Sequence, residues 1–251
     1  MARTTPYGFC PVLVSPWGTP QTGRVSDGAQ ATVVARIPGA AGLGLVVPPA
    51  APLVPATQLA DQAWITEVLG AGVPRVRATV WWYSVSAVLV TPVLAGLVVG
   101  VQLSARLTHT ALAFRPDGLP VAAVSSTRGG DPAADLRETL GAVVAAVAAA
   151  GRMRERPLWA IATDSIANQL LALGRAVGDV AAATAIAAPL AAGIGGPLPM
   201  PRYVDVAGAR FTRRASCCLV VELPGGSLCT SCPRRPPAER AALLERAARW
   251  F

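Results

Sequence analysis

Apolar residues recur along this chain mostly with a helical period, and prolines and glycines bracket the helical runs. The clearest run follows Asp131, where Leu136, Leu140, Val143, Val144 and Val147 form one stripe. Asp131 is placed to cap that helix, Pro132 sits at its first position and Gly151 closes it. Pro157 to Leu173 repeats the scheme, with Gly174 as the stop, and Arg175 to Ala188 reads as an Ala-rich helix ending at Pro189. Upstream, Thr57 to Leu69 reads as a helix capped by Thr57 and ended by Gly70 and Gly72. Pro74 opens a helical segment through about Val90, and Pro92 predicts a break with a separate apolar helix after it. Pro236 and Pro237 precede a last helix with Leu243, Leu244, Ala247, Trp250 and Phe251 on its apolar face.

Strand patterns are shorter. Leu107 to Ser125 alternates loosely around Asp117-Gly118, a strong turn signal, and predicts a hairpin. Thr32 to Ile37 and Leu219 to Leu223 read as short strands. Residues 1–28 are rich in Pro, Gly and Thr without a period, and Ala192 to Pro201 reads as a Gly/Pro-rich linker. The expected fold is α+β and helix-dominated. A helical main domain with a small sheet or hairpin covers 1–200, and a small C-terminal region covers 201–251.

Composition narrows this picture. The chain has 251 residues, 53% hydrophobic and only 14% charged, which excludes a disordered chain. Its formal net charge is +8, and all 22 basic residues are Arg, as in a GC-rich coding bias. A basic surface favours anionic partners, but no run of Arg interleaved with aromatics forms a nucleic-acid groove, so no nucleic-acid partner is expected. The N-terminal residues lack the apolar run of an export signal, so a cytoplasmic, reducing setting is expected. Ala78 to Ala105 carries no charge and lies between Arg77 and Arg106. Its length meets the rule for a membrane span, but Pro92 and the polar Ser84, Ser86, Thr91, Gln102 and Ser104 favour a buried core. Peripheral contact with the inner membrane is the second reading, and a span the last.

In a reducing compartment, clustered cysteines read as metal ligands or redox groups before disulfides. Four of the five cysteines lie close together: Cys217-Cys218, ten residues, then Cys229-Thr230-Ser231-Cys232-Pro233. A Cys-x2-Cys loop can bring two sulfurs to one ion, whereas adjacent side chains diverge and more readily reach two irons. The spacing therefore favours a binuclear cluster. A structural zinc site, two pairs of core thiols and a redox disulfide remain open, and Cys10 reads as an isolated thiol. Glycines at Pro224-Gly225-Gly226 return the chain towards the first pair and offer N–H groups to cluster sulfides.

With an Arg before the first pair and Pro233 after the last cysteine, this Cys-Cys-x10-Cys-x2-Cys pattern resembles the C-terminal [2Fe-2S] signature of FhuF-type ferric siderophore reductases. An uncharged Trp- and Ser-bearing helical stretch, a Gly-turn hairpin and a helix opening near Leu158-Trp159 fit the family more loosely. Members of that family are similar over most of their length to the C-terminal part of siderophore synthetases. The resemblance implies Cys217, Cys218, Cys229 and Cys232 as ligands of a [2Fe-2S] cluster. It also implies cytoplasmic one-electron reduction of a ferric siderophore to release Fe(II) for iron assimilation.

The remaining residues fit that chemistry. No Gly-x-Gly-x-x-Gly or Gly-Lys-Ser/Thr loop supplies a nucleotide or flavin site, so the electron donor is expected to be a separate ferredoxin-like protein or other reductant. No catalytic residue beyond the cluster is expected. Arg210, Arg213, Arg214, Arg234 and Arg235 flank the cysteines and suit an anionic chelate or an acidic donor, or else merely balance the cluster's charge. Trp81, Trp82, Tyr83 and Trp159 are candidate siderophore-pocket residues, with core packing as the plainer role. The lone His109 reads as structural. Asp164, Asn168 and Gln169 lie on an otherwise apolar helix and read equally as caps for a neighbour or as ligand contacts. The competing functions are a non-enzymatic iron–sulfur electron carrier and a zinc-stabilised interaction protein.

Overall fold

The computed structural model of the chain describes residues 28–250. Helices dominate. They are α1 (Ala31–Val34), α2 (Gln62–Leu69), α3 (Pro74–Val98), α4 (Pro132–Gly151), α5 (Arg156–Val177), α6 (Val180–Ala185), α7 (Ala187–Ile194) and α8 (Pro237–Ala248). Strands β1 (Leu53–Pro55), β2 (Thr110–Phe114) and β3 (Pro120–Ser125) form an antiparallel sheet in that order. Strands β4 (Tyr203–Val206) and β5 (Ala209–Thr212) form a separate hairpin.

Helix α3 is apolar on all sides and therefore central, packed against α5, α4 and β3. It is long and apolar enough to cross a membrane, yet 89% of its most apolar window is buried inside the protein. It runs unbroken through Pro92, so the expected break is absent. Proline removes the N–H that would bond Val88 O, and the neighbouring carbonyl of Ala87 is reached by two side-chain donors. Thr91 Oγ1 and Gln169 Nε2 both donate to Ala87 O, at 2.7 and 3.1 Å. Trp82 Nε1 donates to Leu158 O at 2.9 Å and ties α3 to the start of α5.

The hairpin around Gly118 and the capped start of α4 follow the sequence pattern. Asp131 Oδ1 accepts from Ala133 N and Ala134 N at 2.9 and 3.3 Å. Gly118 has φ +80° in the turn between β2 and β3. Several boundaries differ. Thr32 to Ile37 is not a strand: α1 occupies it, and Gln30 takes the groups a strand would need. Its side chain donates to Leu45 O and Ala123 O and accepts from Ser125 N. A 3-10 turn covers Ala56–Ala60, and Asp61, not Thr57, caps α2 through Ala63 N at 2.8 Å.

Helix α5 passes Gly174 and stops at Gly178, which has φ +78°. Gly174 is a packing glycine, since a Cβ there would lie 2.8 Å from Val180 Cα and 2.9 Å from Ala183 Cβ. The Ala-rich stretch after it is two short helices, α6 and α7, in place of one. The strands β4 and β5 were not anticipated, and Leu219 to Leu223 holds a 3-10 turn at Val220–Glu222 where a strand was expected. Leu244 and Ala247 of α8 pack on Ala209 and Phe211 in a small second core, but Trp250 is 69% exposed and lies off that face. Cys10 and Phe251 lie outside the described residues.

Candidate cluster site

The cysteine segment leaves β5 and is held at once by α5. Asp164, in the middle of that helix, accepts from Ala215 N (2.8 Å), Ser216 N (3.1 Å) and Ser216 Oγ (2.7 Å). Its Oδ2 also accepts from Arg214 Nε at 3.3 Å, and both side chains are only 2% exposed. Burial pushes the Asp164 carboxyl upward, against the pull of Arg214 and of the Ala215 and Ser216 donors. These contacts fix the backbone directly before Cys217 and Cys218.

Arg214 links this anchor to the sulfurs. Its guanidinium carbon lies 4.8 Å from the centroid of the Tyr83 ring on α3. Nη1 lies 3.3 Å from Cys229 Sγ and 4.0 Å from Cys218 Sγ. Burial works to lower Arg214, but Tyr83, Asp164 and the two thiols outweigh it and hold it well above its ordinary value. Arg214 therefore carries a fixed positive charge between Cys218 and Cys229.

The other two thiols meet each other, with Cys217 Sγ and Cys232 Sγ 4.0 Å apart. Cys218, Cys229 and Cys232 are buried and Cys217 is partly buried; none of the four is in a disulfide among the described residues. Burial pushes the Cys217 thiol upward, Leu219 N–H opposes this, and Cys232 adds to it. Leu219 sits in the left-handed region with φ +59°, a conformation a non-glycine residue holds only when its surroundings impose it.

The Cys-x2-Cys loop is tied by its carbonyls. Cys232 N donates to Cys229 O at 3.1 Å. Arg235 donates to Cys229 O and Leu228 O and pairs with Glu239. Arg240 Nη1 donates to Cys232 O at 3.4 Å and Arg235 O at 3.2 Å. Gly226 does not offer its N–H to this site: it donates to Leu223 O at 2.9 Å. A Cβ on Gly226 would lie 1.9 Å from Val220 O, so this turn requires glycine.

The flanking arginines have separate places. Arg213 is exposed and has no ion pair among the described residues. Arg234 pairs with Glu222 at 3.0 Å, and Glu222 also pairs with Arg75 of α3 at 3.1 Å. Arg210 pairs with Asp205 across the β4–β5 hairpin at 2.8 Å. Trp82 and Trp159 are buried core residues, with Trp159 Nε1 donating to Glu155 at 3.3 Å. Trp81 is partly buried and packs edge-on against Trp64, with centroids 6.2 Å apart. Tyr83 lies beneath Arg214. His109 Nδ1 pairs with Ser104 Oγ at 3.0 Å, beside the ion pair of Arg106 with Asp135. Gln169 is spent on Ala87 O. Of the polar residues on α5 singled out from the pattern, Asp164 meets the cysteine segment, whereas Gln169 serves α3.

Residues 214–234 match the family model of the FhuF 2Fe-2S C-terminal domain. No curated protein and no solved structure matches the chain. The match indicates a [2Fe-2S] cluster. The side chains of the segment suit that group. Four thiols are soft donors of the type iron–sulfur clusters take. Arg214, whose Nη1 approaches Cys229, also has a buried Nη2 with no hydrogen-bond partner among the described residues, a donor left over at the site.

Proposed function

We propose that this chain is a ferric-siderophore reductase in which Cys217, Cys218, Cys229 and Cys232 hold the [2Fe-2S] cluster. The observation that carries the reading is the cluster-domain match over residues 214–234, the stretch that contains all four cysteines and Arg214. When bound, the cluster supplies one electron at a time. Asp164 positions the first cysteine pair, and Arg235 and Arg240 position the second through the loop carbonyls. Arg214 provides a positive charge that favours the more reduced, more negative state of its surroundings.

The substrate is Fe(III) in an oxygen chelate. One electron converts it to Fe(II), which hard oxygen donors hold far less tightly, and the siderophore itself loses no covalent bond. The electron comes from a separate donor, a ferredoxin-like protein or other reductant; the sequence contains neither a Gly-x-Gly-x-x-Gly nor a Gly-Lys-Ser/Thr motif. The proposed setting is the cytoplasm.

The test uses the anaerobically reduced protein and a panel of ferric siderophores, followed by visible absorbance. We expect at least one chelate to reoxidise the protein and to yield Fe(II) in equal amount. Reoxidation no faster than in buffer with every chelate would overturn the reading.

A further inference from the structure

A cavity of about 240 Å³ opens against the cysteine loop, between the β4–β5 hairpin and α8. Its wall carries Arg202, Arg213, Arg214 and Arg240 and no carboxylate. Arg214 and Arg240 are spent on Asp164, the thiols and the loop carbonyls. Arg202 and Arg213 form no ion pair among the described residues. Thr212, also in the wall, is only 5% exposed, and its Oγ1 has no hydrogen-bond partner among the described residues. A buried hydroxyl without a partner is uncommon in folded proteins and marks a place for a polar group. Ser231, between Cys229 and Cys232, belongs to the same wall, so an occupant sits directly against the cysteine loop.

We infer that this cavity binds an anionic oxygen group, a carboxylate or its equivalent, on one arm of the ferric chelate, and so selects negatively charged siderophores. The inference rests on the reductase reading. Arg202 and Arg213, two guanidinium groups with no ion pair among the described residues, create a positive field that a neutral or cationic arm does not satisfy. The volume is below that of most whole-ligand pockets, so one arm enters and the metal centre stays outside, beside the loop. Selection then depends on the arm's charge and not on the groups around the iron.

The test is binding of two gallium(III) complexes of a single linear trihydroxamate, one ending in a free amine and one capped with a succinyl carboxylate. Gallium(III) is not reduced here, so affinity is read without turnover, by quenching of tryptophan fluorescence in the cluster-loaded protein. We expect the succinyl complex to bind about tenfold tighter, the effect of roughly one charge-assisted contact. The preference should disappear in the Arg202→Gln, Arg213→Gln double variant with an unchanged visible spectrum. Equal affinity for the two complexes overturns the inference, as does an undiminished preference in the double variant. It is also overturned if the double variant slows only electron entry from a protein donor. The reductase reading is tested separately by the ferric siderophore panel, whose failure with every chelate removes that reading, a result on which the gallium affinities do not depend.

Discussion

Asp164 lies 50 residues before Arg214 in sequence, yet it makes the contacts that set the cysteine segment in place. Replacing it with Asn keeps the shape but leaves Arg214 without its buried counter-ion and two backbone donors with a weaker acceptor. Loss of one partner from a buried pair costs about 3–5 kcal/mol, so Asp164→Asn should lower stability by that order in chemical denaturation. Arg214→Gln should lower the reduction potential measured by dye equilibration, because a positive charge next to the thiols is lost; Arg214→Lys should restore part of it. Cys229→Ser should abolish the visible absorbance of the purified protein. The four cysteines stand out from spacing alone as a candidate metal site, since chemistry that needs several thiols shows itself in local sequence. Asp164 was legible only as a polar residue on an apolar helix, because the sequence holds no record of which distant loop a helix face will meet.

At the scale of elements, prolines and glycines carried two kinds of information that the sequence does not separate. Pro132 and Gly118 mark a helix start and a turn, as read. Gly174 marks neither, since it lets α6 approach α5 closely. Gly174→Ala should therefore destabilise the protein by about 1–3 kcal/mol through overpacking, although alanine is the better helix former. A shift in thermal midpoint upward would show that the close approach relaxes freely. The β4–β5 hairpin did carry a signal: Ala207-Gly208, both at positive φ, separates two four-residue strands, with Asp205 and Arg210 facing across them. The strands are so short that alternation alone did not reveal them.

Across the whole molecule, the main core and the cluster region depend on each other unequally. Helices α3, α4 and α5 share one large apolar core, whereas β4, β5 and α8 share a small one. Stripping the iron with a chelator should therefore raise hydrogen exchange over 203–248 while leaving α3 and the first half of α5 protected. Loss of protection throughout would show that the main core does not hold by itself. Helix α3 shows why the whole was only partly readable. Its uncharged length fits both a membrane span and a protein core, and only the surrounding helices decide between them.

The clamp from the middle of α5 also bears on speed. A cofactor that gains and loses an electron distorts its surroundings each time, and that distortion is a barrier to transfer. Here the segment before the first two sulfurs is fastened by four hydrogen bonds to one buried side chain on a well-packed helix. For the proposed electron transfer, a scaffold held in this way is expected to reorganise little between charge states, so that exchange should need no opening or closing of the protein.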